Sequence, residues 1–307
     1  MSVPSLPSLV AEELALPVDP RVEGMAAAIA DQYGAAARAV LFYGSCLRSS
    51  ALEGQMLDFY LIVSSYHAAY GKGWLATANR LVPPNVFPFG HKGLVAKYAV
   101  LSEADFLREC GMRARSVSVW ARFAQPSRLV WSAGPDASEK VIAAIVEAPQ
   151  TLLQFTLPGG PAEGTSLLDL WKRGFRLTYG AELRAERKNR STSVVAAAPH
   201  RYERFGLAAL AEIAQRTGVG PDGEVPLIER PDRMERRWRR MQRKGKALSL
   251  IRLAKASGTY AGGIDYLAWK INRHAGTTIE IKPWQRRWPL LGALTLLPRL
   301  LKRGAIG

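Results

Sequence analysis

A glycine and a serine after one apolar run, and a carboxylate within the next, have types and a spacing that suit phosphate chemistry. Gly44 and Ser45 directly follow the run 39–43, and Asp58 lies thirteen residues beyond Ser45, inside the run 57–63. The glycine would let the backbone approach a polyphosphate. Backbone amides and the Ser45 hydroxyl could donate to its oxygens, and a strand-borne carboxylate could hold Mg²⁺ against them. In the alternative interpretation Gly44-Ser45 is a simple turn and Asp58 caps a neighbouring loop.

Strands and helices that would position these residues can be predicted from the periodicity of apolar side chains. The elements expected in the first 110 residues are helices at 22–38 and between 64 and 82, strands at 39–43, 57–63 and 94–101, and a helix capped by Ser102. The cluster Pro83-Pro84-Asn85 must end the second helix and begin a loop. Helical patterns dominate from about residue 138 onward, most clearly at 166–186. The sequence therefore predicts a mixed α/β part followed by a mainly helical part.

Positive charge is concentrated in the second half of the chain. The net charge is +16, yet residues 1–170 carry 13 Lys and Arg against 15 acids, whereas residues 171–307 carry 29 against 11. A basic half implies an anionic partner, either nucleic acid or an anionic membrane. Within the densest basic run, 230–246, Trp238 could contact bases, sit at a membrane or pack on a neighbouring helix.

Cysteine content and the N-terminal sequence indicate a reducing compartment. Two cysteines cannot build a disulfide framework. No Lys or Arg precedes Arg21, so we expect neither a secretory leader nor a transit peptide. The expectation is a protein that faces the cytosol.

The C-terminal segment combines a short apolar stretch with flanking tryptophans and cations. Its uncharged core runs from Trp288 to Pro298, which is eleven residues. A membrane-spanning helix needs roughly 20. Trp284 and the flanking arginines suit a segment that lies in the headgroup interface. We therefore expect peripheral association with an anionic membrane.

Several runs resemble the phosphatidate cytidylyltransferase family known in mitochondria as translocator-maintenance proteins, which has bacterial relatives and belongs to the nucleotidyltransferase superfamily. The runs are FYGSCLRSS at 42–50, MLDFYLIV at 56–63, PPNVF at 83–87, LVAKYAV at 94–100, LTYGAELRAE at 177–186 and the stretch 246–276. The resemblance covers roughly residues 35–280. It implies CTP and phosphatidic acid as substrates, CDP-diacylglycerol and pyrophosphate as products, and Mg²⁺ as cofactor.

The resemblance also implies an architecture in three parts. A mixed-sheet nucleotidyltransferase domain is expected at 1–135, a mainly helical, winged-helix-like domain at 136–245, and basic helices with an amphipathic, membrane-associating segment at 246–307. The protein would be peripheral on the cytoplasmic face of an anionic membrane, and nucleic acid is not the expected partner.

Site residues can be carried over where the motifs match. Gly44 and Ser45 match the phosphate-holding turn, Asp58 the metal-binding carboxylate, and Lys97 with Tyr98 a basic strand motif. Ser45, Asp58 and Lys97 are the expected catalytic residues. Lys97 would offset phosphate charge as a compact ammonium, and its alternative is a surface lysine on an edge strand.

Further residues are weaker candidates for the same site. A second metal ligand could be Glu182, with Glu53 and Glu186 as alternatives, although the helix face of Glu182 and Glu186 could equally be solvated. His91 and Lys92 precede the Lys97 strand, where a cation could meet the triphosphate.

Tyr60 departs from the broader superfamily pattern, in which a second acid usually follows the first by two residues. That acid helps a hydroxyl acceptor lose its proton. A phosphomonoester has a second pKa of about 6 and is largely dianionic at neutral pH, so it needs alignment more than a base. Tyr60 therefore favours a phosphate nucleophile, although a protein that had lost its activity could also lack the second acid. The alternatives are a nucleotidyltransferase acting on RNA or a small hydroxylated acceptor, and a non-catalytic membrane-tethering protein on a transferase fold.

Overall fold

A five-stranded mixed sheet organises the first 135 residues. The computed structural model describes residues 4–48, 52–71, 73–157, 166–181, 190–217, 231–259 and 281–287. The strands are β1 (Ala37–Tyr43), β2 (Met56–Val63), β3 (Asn85–His91), β4 (Leu94–Ser102) and β5 (Ser127–Ser132). Their order is β3-β4-β2-β1-β5. Neighbours β2 and β4 are parallel and the other neighbouring pairs are antiparallel, which confirms the α/β class.

Helices cover both faces of the sheet. They are α1 (Leu6–Leu14), α2 (Pro20–Asp31), α3 (Tyr66–Tyr70), α4 (Trp74–Leu81), α5 (Glu103–Cys110), α6 (Trp120–Phe123), α7 (Pro135–Thr156), α8 (Leu167–Gly180), α9 (Arg190–Ala196), α10 (Pro199–Thr217), α11 (Pro231–Thr259) and α12 (Pro283–Arg287). One face buries Phe59 and Tyr98 against α2. The other buries Tyr60 and Leu101 in a larger cluster that continues through α5–α8, α10 and α11. Side chains alternate between the faces, so each strand serves two cores.

The strands and the cap predicted around the site are confirmed with small shifts. The runs at 39–43, 57–63 and 94–101 correspond to β1, β2 and β4. Ser102 caps α5, and its hydroxyl accepts from the backbone amide of Asp105 at 3.2 Å. The helix predicted at 22–38 ends earlier, because α2 stops at Asp31 and β1 already begins at Ala37.

The loop predicted between the cluster Pro83-Pro84-Asn85 and the strand at 94–101 is wrong over most of its length, since β3 occupies Asn85–His91. It pairs with β4 through the two-residue turn Lys92-Gly93, whose φ values of 46° and 80° suit a tight hairpin. Pro88 is tolerated because β3 is the edge strand of the sheet. This hairpin covers the free edge of β4.

The described residues between 136 and 245 are helical, and the winged-helix assignment stays a prediction. Trp238 packs inside the helical core, where its indole donates to the Phe155 carbonyl at 2.8 Å. Arg201 of α10 and Glu13 of α1 form a buried ion pair of 2.8 Å with side chains 11% and 12% exposed. Helix α11 runs unbroken across the predicted boundary at 245/246. The three-part division remains a prediction.

Much of the predicted membrane-associating region, including Trp288 to Pro298, lies outside the described residues. Trp284 in α12 is exposed. None of the described helices combines the length and apolar character needed to cross a bilayer.

Candidate active site

The turn after β1 is built against the carboxylate of β2. Tyr43 and Asp58 are register partners in the antiparallel β1–β2 pair, so Gly44 directly follows the residue opposite Asp58. Gly44 has φ +99°, and a Cβ there would lie 3.2 Å from Oδ2 of Asp58. Only glycine combines this backbone conformation with that space. Ser45 is exposed and opens a short 3₁₀ turn, Ser45–Arg48. Gly44, Ser45 and Asp58 are therefore brought together at one end of the sheet.

Lys97 meets the same carboxylate from the other side. It is the register partner of Asp58 in the parallel β2–β4 pair, and its Nζ lies 2.9 Å from Oδ1 of Asp58. The two side chains are 35% and 22% exposed. Because β3 and β2 flank β4, Lys97 is not on an edge strand. The structure thus favours a site lysine over a surface lysine, and three adjoining strands supply the turn, the acid and the cation.

Cys46 lies behind the turn and was not singled out from the sequence. It is buried, and its thiol donates to Oε1 of Gln55 at 3.3 Å. Burial, and then the negative charge of Asp58, raise the pKa of this thiol. The Cys46 thiol is therefore held in its neutral form, packed beneath the Gly44 turn.

A cavity of about 160 Å³ opens on the sheet face that carries Asp58 and Lys97. Its floor includes Tyr43, Tyr60 and Ala99, which share that face through strand alternation. The rings of Tyr43 and Tyr60 are 5.2 Å apart. The floor is thus largely apolar.

Cations surround this floor. The described lining includes Lys97, Arg122, Arg252 and Lys255, and it includes no acidic residue. Arg122 belongs to α6, and the last two belong to α11. A cavity with this lining attracts an anion, and its partly buried walls strengthen that attraction relative to water.

Two cations of α11 are seated on the loop between α4 and β3. Arg252 donates from Nε to the Pro83 carbonyl at 2.8 Å and from Nη1 to the Ser118 hydroxyl at 2.7 Å. Lys255 donates to the Pro84 carbonyl at 2.9 Å and also to the Val82 carbonyl. Burial, and then the charge of Arg252, lower the pKa of Lys255 to about 7. The sequence places these cations at i and i+3 of one helix, but nothing in it links them to the sheet.

Three other predicted residues lie away from the carboxylate. Tyr98 is on the opposite face of the sheet, buried, with its hydroxyl donating to Oε1 of Gln32 at 3.1 Å. By strand alternation His91 lies on the same face of the sheet as Tyr98. Its ring stacks on Phe89, with the ring centroids 6.3 Å apart. Lys92 forms the hairpin turn. The structure does not bring these side chains to Asp58.

The carboxylates considered as second metal ligands do not add to the described site. Glu182 and Glu186 lie outside the described residues. Glu53 is exposed and pairs with Arg21 at 2.5 Å.

Asp58 is the carboxylate of the described site that could bind Mg²⁺. Among the residues that the structure describes, no group of three or more His, Cys, Asp and Glu is placed to hold a metal ion. Mg²⁺ usually keeps several waters and is held by one or two carboxylates together with substrate phosphates. Oδ2 of Asp58, beside the Gly44 turn, fits an ion that arrives with a polyphosphate rather than one held in a protein cage.

No protein-family model matches this chain, and no curated protein matches it significantly.

Proposed function

We propose that this protein is a metal-dependent nucleotidyltransferase that transfers CMP from CTP to phosphatidic acid at a membrane surface. The observation that carries the proposal is that Lys97, which pairs with Asp58 beside the Gly44 turn, also lines a cationic cavity. A backbone turn, one carboxylate and an ammonium are the groups that positioning and charge neutralisation at a triphosphate require. The two substrates are taken from the motif resemblance, and the cationic cavity is compatible with both because both are anionic.

In the proposed reaction, a phosphate oxygen of phosphatidic acid attacks the α-phosphorus of CTP. A new P–O–P bond forms, the bond from the α-phosphorus to the bridging oxygen breaks, and pyrophosphate leaves with the electron pair. The products are CDP-diacylglycerol and pyrophosphate. The attacking phosphomonoester is already largely dianionic near pH 7, because its second pKa is about 6. No protein group has to remove a proton, so catalysis consists of alignment and charge stabilisation.

Each residue of the site has a defined task in this proposal. The amides after Gly44 and the hydroxyl of Ser45 would bind the nucleotide phosphates, which the exposed turn leaves accessible. Asp58 would hold Mg²⁺, which neutralises charge on the departing pyrophosphate. Lys97 fixes the Asp58 carboxylate at 2.9 Å and adds a positive charge on the cavity side. The site would then bring two anionic substrates together without a general base.

A peripheral position on the cytoplasmic face of an anionic membrane is part of the proposal. The support is the basic second half of the chain and the exposed Trp284 of α12. Each suitably placed cation near an anionic surface contributes about 1 kcal/mol. Such a surface would deliver a lipid substrate to the cavity without extraction into water.

Pyrophosphate release from each of the four NTPs, with Mg²⁺ and with or without phosphatidic acid vesicles, tests the proposal. We expect release from CTP alone, dependent on the lipid and lost in Asp58→Ala. Asp169→Ala, which removes an exposed acid of α8 paired with Lys172, should retain activity. Absence of lipid-dependent release with every NTP would refute the lipid acceptor, and RNA and small hydroxylated acceptors would then be assayed.

A further inference from the structure

The cations of the cavity fall into two groups that touch different parts of the site. Lys97 is tied to Asp58, and hence to the turn at Gly44. Arg122 belongs to α6, Arg252 and Lys255 belong to α11, and all three line the cavity, whereas Asp58 and Gly44 are not among its described lining residues. The site therefore has two separate sources of positive charge, with Lys97 at the junction between them.

We propose that Arg122, Arg252 and Lys255 form a subsite for the phosphomonoester of the acceptor, separate from the turn that would hold the nucleotide. This inference rests on the proposed function and names the residues that would recognise its second substrate. Arginine and lysine side chains are the usual partners of a doubly charged phosphate. The apolar floor of Tyr43 and Tyr60 suits the carbon atoms beside that phosphate.

The α11 cations are already held in place at the cavity. Arg252 is anchored on Pro83 and Ser118, and Lys255 on Val82 and Pro84. Donors fixed before a ligand binds lose little freedom on binding, which favours affinity. The seating on the loop carbonyls is thus consistent with a preformed anion site.

Distances along the strands place this subsite at a useful separation from the turn. Tyr60 on the floor is two residues from Asp58 on β2, or about 6–7 Å at the usual strand rise. The cavity volume of about 160 Å³ is roughly ten times the 10–15 Å³ that one water requires. The cavity is therefore large enough for a phosphate at a floor position about two strand residues from Asp58. The acceptor oxygen and the α-phosphorus must approach to about 3–3.5 Å. An acceptor that enters past Lys97 would allow this approach.

Direct binding of glycerol 3-phosphate, a soluble phosphomonoester, separates this inference from the proposed reaction. Calorimetric titration would compare wild type with Arg122→Gln and Lys255→Met, and with Lys172→Gln as a control that removes an exposed cation of α8. We expect each cavity variant to lose about tenfold or more in affinity, as for a hydrogen bond to a charged group. Lys172→Gln should bind as wild type does. Thermal unfolding of every variant would confirm that it is folded.

Kinetics with vesicles would then identify the source of the phosphate. Phosphatidylcholine vesicles containing phosphatidic acid should show a raised KM for the lipid in both cavity variants, with the KM for CTP unchanged. Vesicles containing phosphatidylglycerol, a phosphodiester, should not support the reaction. A higher rate with glycerol 3-phosphate as acceptor than with phosphatidic acid would assign the subsite to a soluble phosphomonoester.

Two results would overturn the subsite. One is wild type that fails to bind glycerol 3-phosphate, or cavity variants that bind it as well as wild type. The other is an equal rise in the KM for CTP, which would make the cavity the nucleotide site. Tight, variant-sensitive phosphate binding without any nucleotidyl transfer would instead support the subsite and refute the proposed function.

Discussion

Replacing Gly44 by alanine tests whether the turn after β1 sets the position of the Asp58 carboxylate. A methyl group at Gly44 would lie 3.2 Å from Oδ2 of Asp58, whereas ordinary van der Waals contact begins at 3.4–4 Å. The carboxylate must therefore move by a few tenths of an ångström, away from a position fixed by Lys97. Since a displacement of 1 Å can cost about 10²-fold in rate, a loss of about tenfold in kcat/KM is expected.

Gly34→Ala is the matched control for backbone strain. Gly34 also has a positive φ, +50°, but no atom lies within 4 Å of the position of its Cβ. Both substitutions should lower the free energy of unfolding by about 1–2 kcal/mol, the usual cost of a left-handed backbone for a residue with Cβ. Only Gly44→Ala should lose transfer activity, measured as CTP-dependent pyrophosphate release with phosphatidic acid vesicles. Equal loss in both variants, or full activity in Gly44→Ala, would show that the turn does not position Asp58.

Three further predictions follow from other parts of the molecule. The affinity for sulfate, whose charge is constant near neutrality, should fall as the pH rises through about 7, because Lys255 loses its proton there. Lys255→Arg should bind with no such pH dependence, and a flat wild-type profile would contradict the burial of this group. Arg201→Met should lower the free energy of unfolding in urea by about 1.5–3 kcal/mol, because it removes the hydrogen-bonded partner of a Glu13 carboxylate that is only 12% exposed; a loss below about 1 kcal/mol, the range of surface pairs, would argue against this pairing. Gly206→Ala, whose Cβ would lie 2.8 Å from Nε1 of Trp171, should be less stable than Gly24→Ala by about 1–3 kcal/mol in thermal unfolding. Gly24 has open space and should gain from helix propensity, so the reverse order would refute the packing argument.

Local signals in the sequence were sufficient for the strands that carry the site. Apolar runs bounded by turn residues predicted β1, β2 and β4, and the Ser102 cap predicted the start of α5. The strand β3 was missed because Pro88 and Gly90 resemble loop residues, and only the sheet order reveals that they occupy an edge. The strand β5 received no prediction, although it pairs with β1 on the far side of the sheet from β3. Strand pairing over long sequence separations decides both cases.

The residues of the candidate site that lie on strands could be predicted from the sequence. The residues that helix packing brings to the site could not. The pairing of Asp58 with Lys97 follows once β2 and β4 are parallel neighbours in the observed register. Strand alternation alone could have separated Lys97 from Tyr98, because adjacent residues face opposite sides of a sheet. The role of Arg252 could not be anticipated, since its contact with Ser118 spans 134 residues. Contacts of this range depend on how helices pack, which the local pattern does not encode.

The position of Tyr60 connects the missing acid to the charge of the cavity. Tyr60 shares the sheet face of Asp58, is only 2% exposed, and packs with ring centroids 5.2 Å from both Tyr43 and Phe123. A carboxylate at this position would be desolvated beside aromatic rings. It would also neutralise part of the positive charge of the cavity walls. The tyrosine instead keeps the floor apolar and leaves the described lining of the cavity without an acidic side chain. In the proposed reaction no acid is needed at this position, because the phosphate acceptor brings its own negative charge and does not have to be deprotonated.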